Sequence, residues 1–153
     1  MKKFVVILGI IIISGMVSFA QSSFSHHEGL LYQDGTLFTG QQTIYYDNGN
    51  PKAIITFHEG MKDGAYTQYY ENGMIAEKGH FSRNQKHGKW EHWNNAGNLM
   101  AIGYYDQGAK DSIWQIWDAA GIKRFEIVYN KGRRCGTWKM WNPGGELAET
   151  RDY

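Results

Sequence analysis

GKWEHWNNAGNLMAIGYYDQGAKD, residues 88–111, is flanked by two imperfect copies of itself. They are GAYTQYYENGMIAEKGHFSRNQKH at 64–87 and SIWQIWDAAGIKRFEIVYNKGRRC at 112–135. Aligning the copies sets a step of 24 residues, and whole columns obey it. One column is Gly49, Gly73, Gly97, Gly121 and Gly145. A second is Gly40, Gly64, Gly88, Ser112 and Gly136, and an aromatic one is Tyr45, Tyr69, Trp93, Trp117 and Trp141. A fixed period of this length marks one supersecondary unit stacked on itself, because a single unit cannot bury its own apolar face.

Each unit holds two strand-like runs, such as Ala65 to Tyr70 and Met74 to Phe81. Turn residues separate them: Asp47-Asn48-Gly49, Glu71-Asn72-Gly73, Asn95-Ala96-Gly97. Asn-Gly between two such runs predicts a tight hairpin, since both residues tolerate positive φ. A longer loop, such as Ser82 to His87, is expected to lead into the next unit. No helical period occurs after residue 20. Alternation puts Ala53, Ile55 and Phe57 on one strand face, with Leu99, Ala101, Gly103 and Tyr105, and Phe125, Ile127 and Tyr129, in the equivalent places. A two-residue Asn72-Gly73 turn pairs Tyr66 with Gly79, Trp90 with Gly103 and Trp114 with Ile127. That register predicts large rings lying over cross-strand glycines. Trp90 and Trp93 are three apart, so either a bulge brings them to one face or the sheet is apolar on both sides.

The predicted fold class is all-β: an elongated, twisted antiparallel meander of repeated β-hairpins with a 24-residue period. The repeat domain spans 29–153, as a half unit at 29–39 and units at 40–63, 64–87, 88–111, 112–135 and 136–153. The last run, Glu146 to Tyr153, carries four charges in eight residues, which suits an edge strand. Residues 21–28 (QSSFSHHE) read as a polar linker. Before them, Lys2 and Lys3, the apolar run Phe4 to Ile13 and the small residues Ser18 and Ala20 form the pattern of a secretory signal peptide over 1–20. The alternative is an uncleaved anchor, the only segment through which the sequence would be inserted in a membrane.

Cleavage removes Lys2 and Lys3, so the 16 Lys and Arg become 14 against 15 Asp and Glu. A near-neutral domain has no electrostatic footprint for nucleic acid. The localisation expected is extracytoplasmic: periplasmic, cell-envelope or secreted. Cys135 is the only cysteine, so no internal disulfide can form.

The segment Gly88-Lys89-Trp90-Glu91-His92-Trp93 through Gly97, followed by Tyr105 and Gly108, resembles the MORN-repeat variant and, more narrowly, the YwqK-like antitoxin family. The resemblance runs from about Gly29 to Tyr153. It implies successive hairpins in a twisted sheet and binding of a protein partner, with an antitoxin or immunity-type role for some members. It defines no catalytic residue. Ser112 in a glycine column, Asn84 where Gly60, Gly108 and Gly132 stand, and the signal peptide depart from the pattern. An exported chain cannot neutralise a cytosolic toxin, which leaves an extracytoplasmic immunity role.

No catalytic set, metal-ligand spacing or cofactor motif is present: there is no HExxH, no Cys/His zinc spacing and no G-x-S-x-G elbow. His26, His27, His58, His80, His87 and His92 read as linker, loop or strand residues. Two candidate binding surfaces remain. The tryptophan columns Trp90, Trp114, Trp138 and Trp93, Trp117, Trp141 are either sheet packing or a platform for sugar rings or a choline-type ammonium. The late basic cluster (Lys123, Arg124, Lys131, Arg133, Arg134, Lys139) is either a solvated turn face or a docking patch for an acidic protein or anionic lipid. Arg124, Lys131, Arg133 and Arg134 are its candidate contacts. The expected function is a non-enzymatic scaffold binding a protein partner, the alternative a glycan or choline-type binding module.

Overall fold

A computed structural model describes residues 23–153; the signal peptide expected at 1–20 and the first two linker residues lie outside the described residues. Thirteen strands are present among the described residues. β1 (Phe24–His27), β2 (Leu30–Gln33) and β3 (Thr36–Leu37) form a small sheet. The other ten form one antiparallel meander in chain order: β4 (Gly40–Tyr45), β5 (Pro51–His58), β6 (Met61–Tyr69), β7 (Ile75–Ser82), β8 (Gln85–Trp93), β9 (Leu99–Asp106), β10 (Ala109–Trp117), β11 (Lys123–Asn130), β12 (Arg133–Trp141) and β13 (Leu147–Asp152). The all-β hairpin meander expected from the columns is the observed architecture.

The two kinds of turn have exchanged roles. The expected two-residue Asn-Gly turn is a three-residue loop. Gly73 N–H donates to Tyr70 O (2.9 Å), Tyr70 N–H to Met74 O (2.8 Å), and only Gly73 has positive φ. Asn72 stays at negative φ because its side chain does another job: Oδ1 accepts from Met74 N–H at 3.1 Å, an Asx turn. The two-residue type I′ turns lie at the other end, where a longer loop was expected: Glu59-Gly60, Arg83-Asn84, Gln107-Gly108 and Lys131-Gly132, with both residues at positive φ. Asn84 replaces glycine there because asparagine tolerates that region, and its Oδ1 accepts from Lys62 N–H (2.7 Å).

The expected register nevertheless holds: Tyr66 pairs with Gly79, Trp90 with Gly103 and Trp114 with Ile127. A bulge just inside each Asx loop, as between Gln68 and Tyr69, offsets the extra loop residue. A second irregularity sits mid-strand. Between the pairs Lys78–Glu91 and His80–His87, Gly79 alone faces Gly88, Lys89 and Trp90. This bulge swings the Trp90 indole onto the preceding strand.

The N-terminal end is capped. Residues 24–27, expected as linker, are a strand because Phe24 packs edge-on against Phe38 (5.2 Å, 89°) and Glu28-Gly29 turns the chain back onto Leu30. Leu31 N–H donates to Gly60 O (2.8 Å) and Gly60 N–H to Phe38 O (2.8 Å), fastening the small sheet to the β5–β6 turn. Leu31 is fully buried in a cluster with Ala53, Ile55 and Phe57. Burial of that one side chain contributes about 1.5–3 kcal/mol.

Candidate functional site

The inner tryptophans are packing. Trp90 is wholly buried and Trp114 nearly so. Their rings do lie over glycines, but over those of the preceding strand and not their paired residues. A Cβ added at Gly79 would stand 2.3 Å from Trp90, and one at Gly103 2.3 Å from Trp114. The mid-strand bulges cause this displacement, as described for Gly79. Trp90 Nε1–H donates to His80 O (3.2 Å) and Trp114 Nε1–H to Tyr104 O (3.0 Å). The rings join a ladder in which Trp90 meets Tyr66, Phe81 and Tyr105, and Trp114 meets Tyr105 and Tyr129, at centroid distances of 5.1–6.1 Å. Trp138 cannot follow, because Ile127 stands where the second and third units have Gly79 and Gly103. It stacks on Phe125 instead (5.9 Å, 7°), and its buried Nε1 has no hydrogen-bond partner.

A lysine column runs along this ladder, in step with the repeat: Lys62, Lys86 and Lys110, then Arg134. Lys86 Nζ sits 3.8 Å from the Trp90 centroid, Lys110 Nζ 4.3 Å from Trp114 and Lys62 Nζ 5.2 Å from Phe81. These are cation–π contacts that also cover the rings. The sequence carried the signal, since the four cations share the 24-residue step.

Lys86 also pairs with the largely buried Glu77, whose Oε1 lies 3.3 Å from His92 Nε2. Burial holds His92 below its usual pKa; the Glu77 charge works against this, and Lys86 and Lys110 reinforce it. The unfolded ring titrates near 6.5, so the folded protein takes up this proton only at lower pH. Stability is therefore complete above pH 6.5, falls as pH drops through that value and levels off below the folded pKa. His92→Gln is expected to flatten the acid-side fall of melting temperature. Parallel melting curves for the two proteins between neutral and mildly acid pH would contradict this.

The outer tryptophans Trp93, Trp117 and Trp141 are half-buried. Trp93 O accepts from Tyr70 Oη–H (2.8 Å), and Lys123 Nζ lies 4.3 Å from the Trp141 ring. Trp117 lines a shallow hollow with Leu99, Ala119 and Ala120. Trp90 enters the ladder and Trp93 does not, so the two do not form one aromatic surface.

The basic cluster divides in two. Lys123 and Lys139 pair with Glu126 at 3.0 and 3.3 Å, and the Lys123 hydrogen bond above all holds the Glu126 carboxyl below its usual range. Arg124 Nε–H donates to Trp141 O (2.9 Å) while its Nη1 lies 3.4 Å from Asp118 Oδ2. It occupies the role that Tyr46 and Tyr70 play toward Tyr69 O and Trp93 O. Arg124 is therefore a structural clamp. Lys131, Arg133 and Arg134 are exposed; Arg134 donates to Tyr153 Oη (3.2 Å), and Lys131 and Arg133 form no ion pair among the described residues.

A cleft of about 600 Å³ opens beneath the N-terminal sheet, between β1 and strands β4 to β6. Sequence reasoning missed it because residues 24–27 read as linker. Its chemistry mixes apolar walls (Phe24, Ile44, Ile55) with the amides of Gln42 and Gln68. Burial, with a contribution from the Glu77 charge, pushes the Tyr66 phenol above its usual pKa, so it remains a neutral donor to Gln68 Oε1 (3.0 Å). No three His, Cys, Asp or Glu side chains among the described residues are placed to hold a metal.

Comparison with known proteins agrees with the repeat geometry. The MORN repeat variant matches residues 38–59, 62–83 and 86–107. Each match ends on the first residue of a type I′ turn, so the family's unit is one Asx-loop hairpin. No curated protein matches. Among solved structures, the Glycosylation Associate Protein (Gap123) complex from Streptococcus agalactiae is similar at 20% identity, with a TM-score of 0.39. The likeness covers 69% of this chain and 19% of that one, so this chain spans about a fifth of the length of the structure it matches. The same hairpin continues through β10 to β13 beyond the matched residues. Residues 38–107 are MORN-variant repeats, and they form the middle of a β-repeat scaffold.

Proposed function

We propose that this protein is an exported, non-catalytic scaffold that holds a protein partner, in an antitoxin or immunity-type role outside the cytoplasm. The observation that carries the reading is the state of the inner tryptophans. The Trp90 and Trp114 rings are buried against glycine backbone and approached by Lys86 and Lys110. Faces so occupied cannot stack sugar rings or cage an ammonium. This favours contacts made by turns and edges over a glycan platform.

The proposed contact surface is the β11–β12 turn with its two unpaired cations, Lys131 and Arg133, which suits an acidic protein face. Rim charges of this kind steer association and are screened by salt. Affinity recovery from the native envelope is expected to yield one small protein in stoichiometric amount. Lys131→Glu combined with Arg133→Glu is expected to cut that recovery about tenfold at low salt, and less at high salt. Recovery unaffected by the double reversal would refute this surface. Quenching of tryptophan fluorescence by envelope polysaccharide, without a protein partner, would instead support the glycan module.

A further inference from the structure

We propose that the cleft beneath the N-terminal sheet receives an extended peptide C-terminus, an apolar tail ending in a free carboxylate. This rests on the partner-binding reading and names the partner's segment. The first observation is Gln42 at the cleft floor. The residue is 9% exposed, and it lines the cleft. A polar amide at the wall of an open cleft can bond an entering ligand.

The second observation is the balance of charge in the lining. Gln68 spends its oxygen on the Tyr66 phenol, which leaves its amide N–H groups as donors. Lys52 and Lys62 lie 5.4 Å from the Tyr46 ring and 5.2 Å from the Phe81 ring, and neither forms an ion pair among the described residues. Against these donors the cleft lining offers one carboxylate, Asp47. Two cations against one carboxylate, with the Gln68 amide N–H groups beside them, suit a carboxylate ligand.

The third observation fixes the ligand as a chain. Gln42 to Tyr45 of the cleft lining belong to β4, the terminal strand of the ten-stranded sheet. Among the described residues β4 pairs with β5 on one side and with no strand on the other. An extended tail can add its backbone to that edge while its apolar side chains meet the cleft walls and its terminus reaches the donors. Strand addition and capture of a terminal carboxylate are both recurrent modes of peptide recognition. A volume of about 600 Å³ lies within the range of ligand pockets.

The test uses the synthetic peptide acetyl-Ala-Val-Phe, as the free acid and as the C-terminal carboxamide, titrated into isotope-labelled protein. The acid is expected to shift the amide resonances of Gln42 to Tyr45, and the carboxamide to bind about tenfold more weakly. Gln42→Leu is expected to weaken the acid several-fold without lowering the melting temperature, because an apolar side chain of similar size keeps the packing of β4. Lys62→Met is expected to weaken it by a similar factor with the fold intact. Equal binding of acid and carboxamide, no shift along β4, or displacement of the peptide by an oligogalacturonate would overturn the proposal. Those results would leave the Lys131 and Arg133 surface untouched, since that is read by partner recovery.

Discussion

Trp90→Ala is expected to cost about 3–5 kcal/mol of unfolding free energy, the range for removing a fully buried tryptophan. The ring is wholly buried and touches Tyr66, Phe81 and Tyr105, which come from three different strands. Its loss leaves Lys86 with only the more distant Tyr105 ring (5.4 Å) and the Gly79 backbone uncovered. For a domain of this size the melting temperature should fall by on the order of 10 °C or more. Trp93→Ala provides the control. Trp93 is half-buried, and its carbonyl, which serves Tyr70, survives the substitution. Chemical denaturation of both variants decides the matter. Equal losses would mean that the inner column is not the special one.

The second large effect lies at the glycine beneath that ring. In Gly79→Ile the new Cβ would stand 2.3 Å from the Trp90 indole, so ring or strand must move. Overpacking of this kind costs about 1–3 kcal/mol and at times more. The chain itself contains the compensated combination. In the first unit Ile55 and Tyr66 occupy the places of Gly79 and Trp90, and Ile55 is 6% exposed. The double variant Gly79→Ile with Trp90→Tyr is therefore expected to recover at least half of the loss. A double-mutant cycle measures the coupling, and additive losses would show that ring and glycine are not matched. The uncompensated combination is present too. Trp138 faces Ile127, stacks on Phe125 and leaves its Nε1 unsatisfied.

The two predictions differ in how far the sequence foretold them. The pairs Tyr66–Gly79 and Trp90–Gly103 follow from the position of Asn72-Gly73, although the turn assumed in deriving them is not the one formed. The register holds because a three-residue loop and an adjacent bulge offset each other. The choice of glycine beneath each ring was not legible. It depends on a bulge that sets Gly79 against Gly88, Lys89 and Trp90, and bulges leave no period of their own in a sequence. Arg124 shows the same limit. As a member of a basic run it reads as available charge. Only the approach of Asp118 and the Trp141 carbonyl reveals it as a clamp.

By itself the sequence determined the repeated unit, the all-β class and the antiparallel order of the meander. These follow from local rules, since a 24-residue step, alternation and turn residues act between neighbours in the chain. The tertiary structure decided which tryptophans are consumed in packing, which cations stay unpaired and that Phe24–His27 folds back to roof a cleft. Those outcomes depend on contacts between strands of different units and on the docking of Leu31 against Gly60. Burial and charge pairing are properties of the assembled sheet, so they become visible only when distant copies of the unit lie side by side.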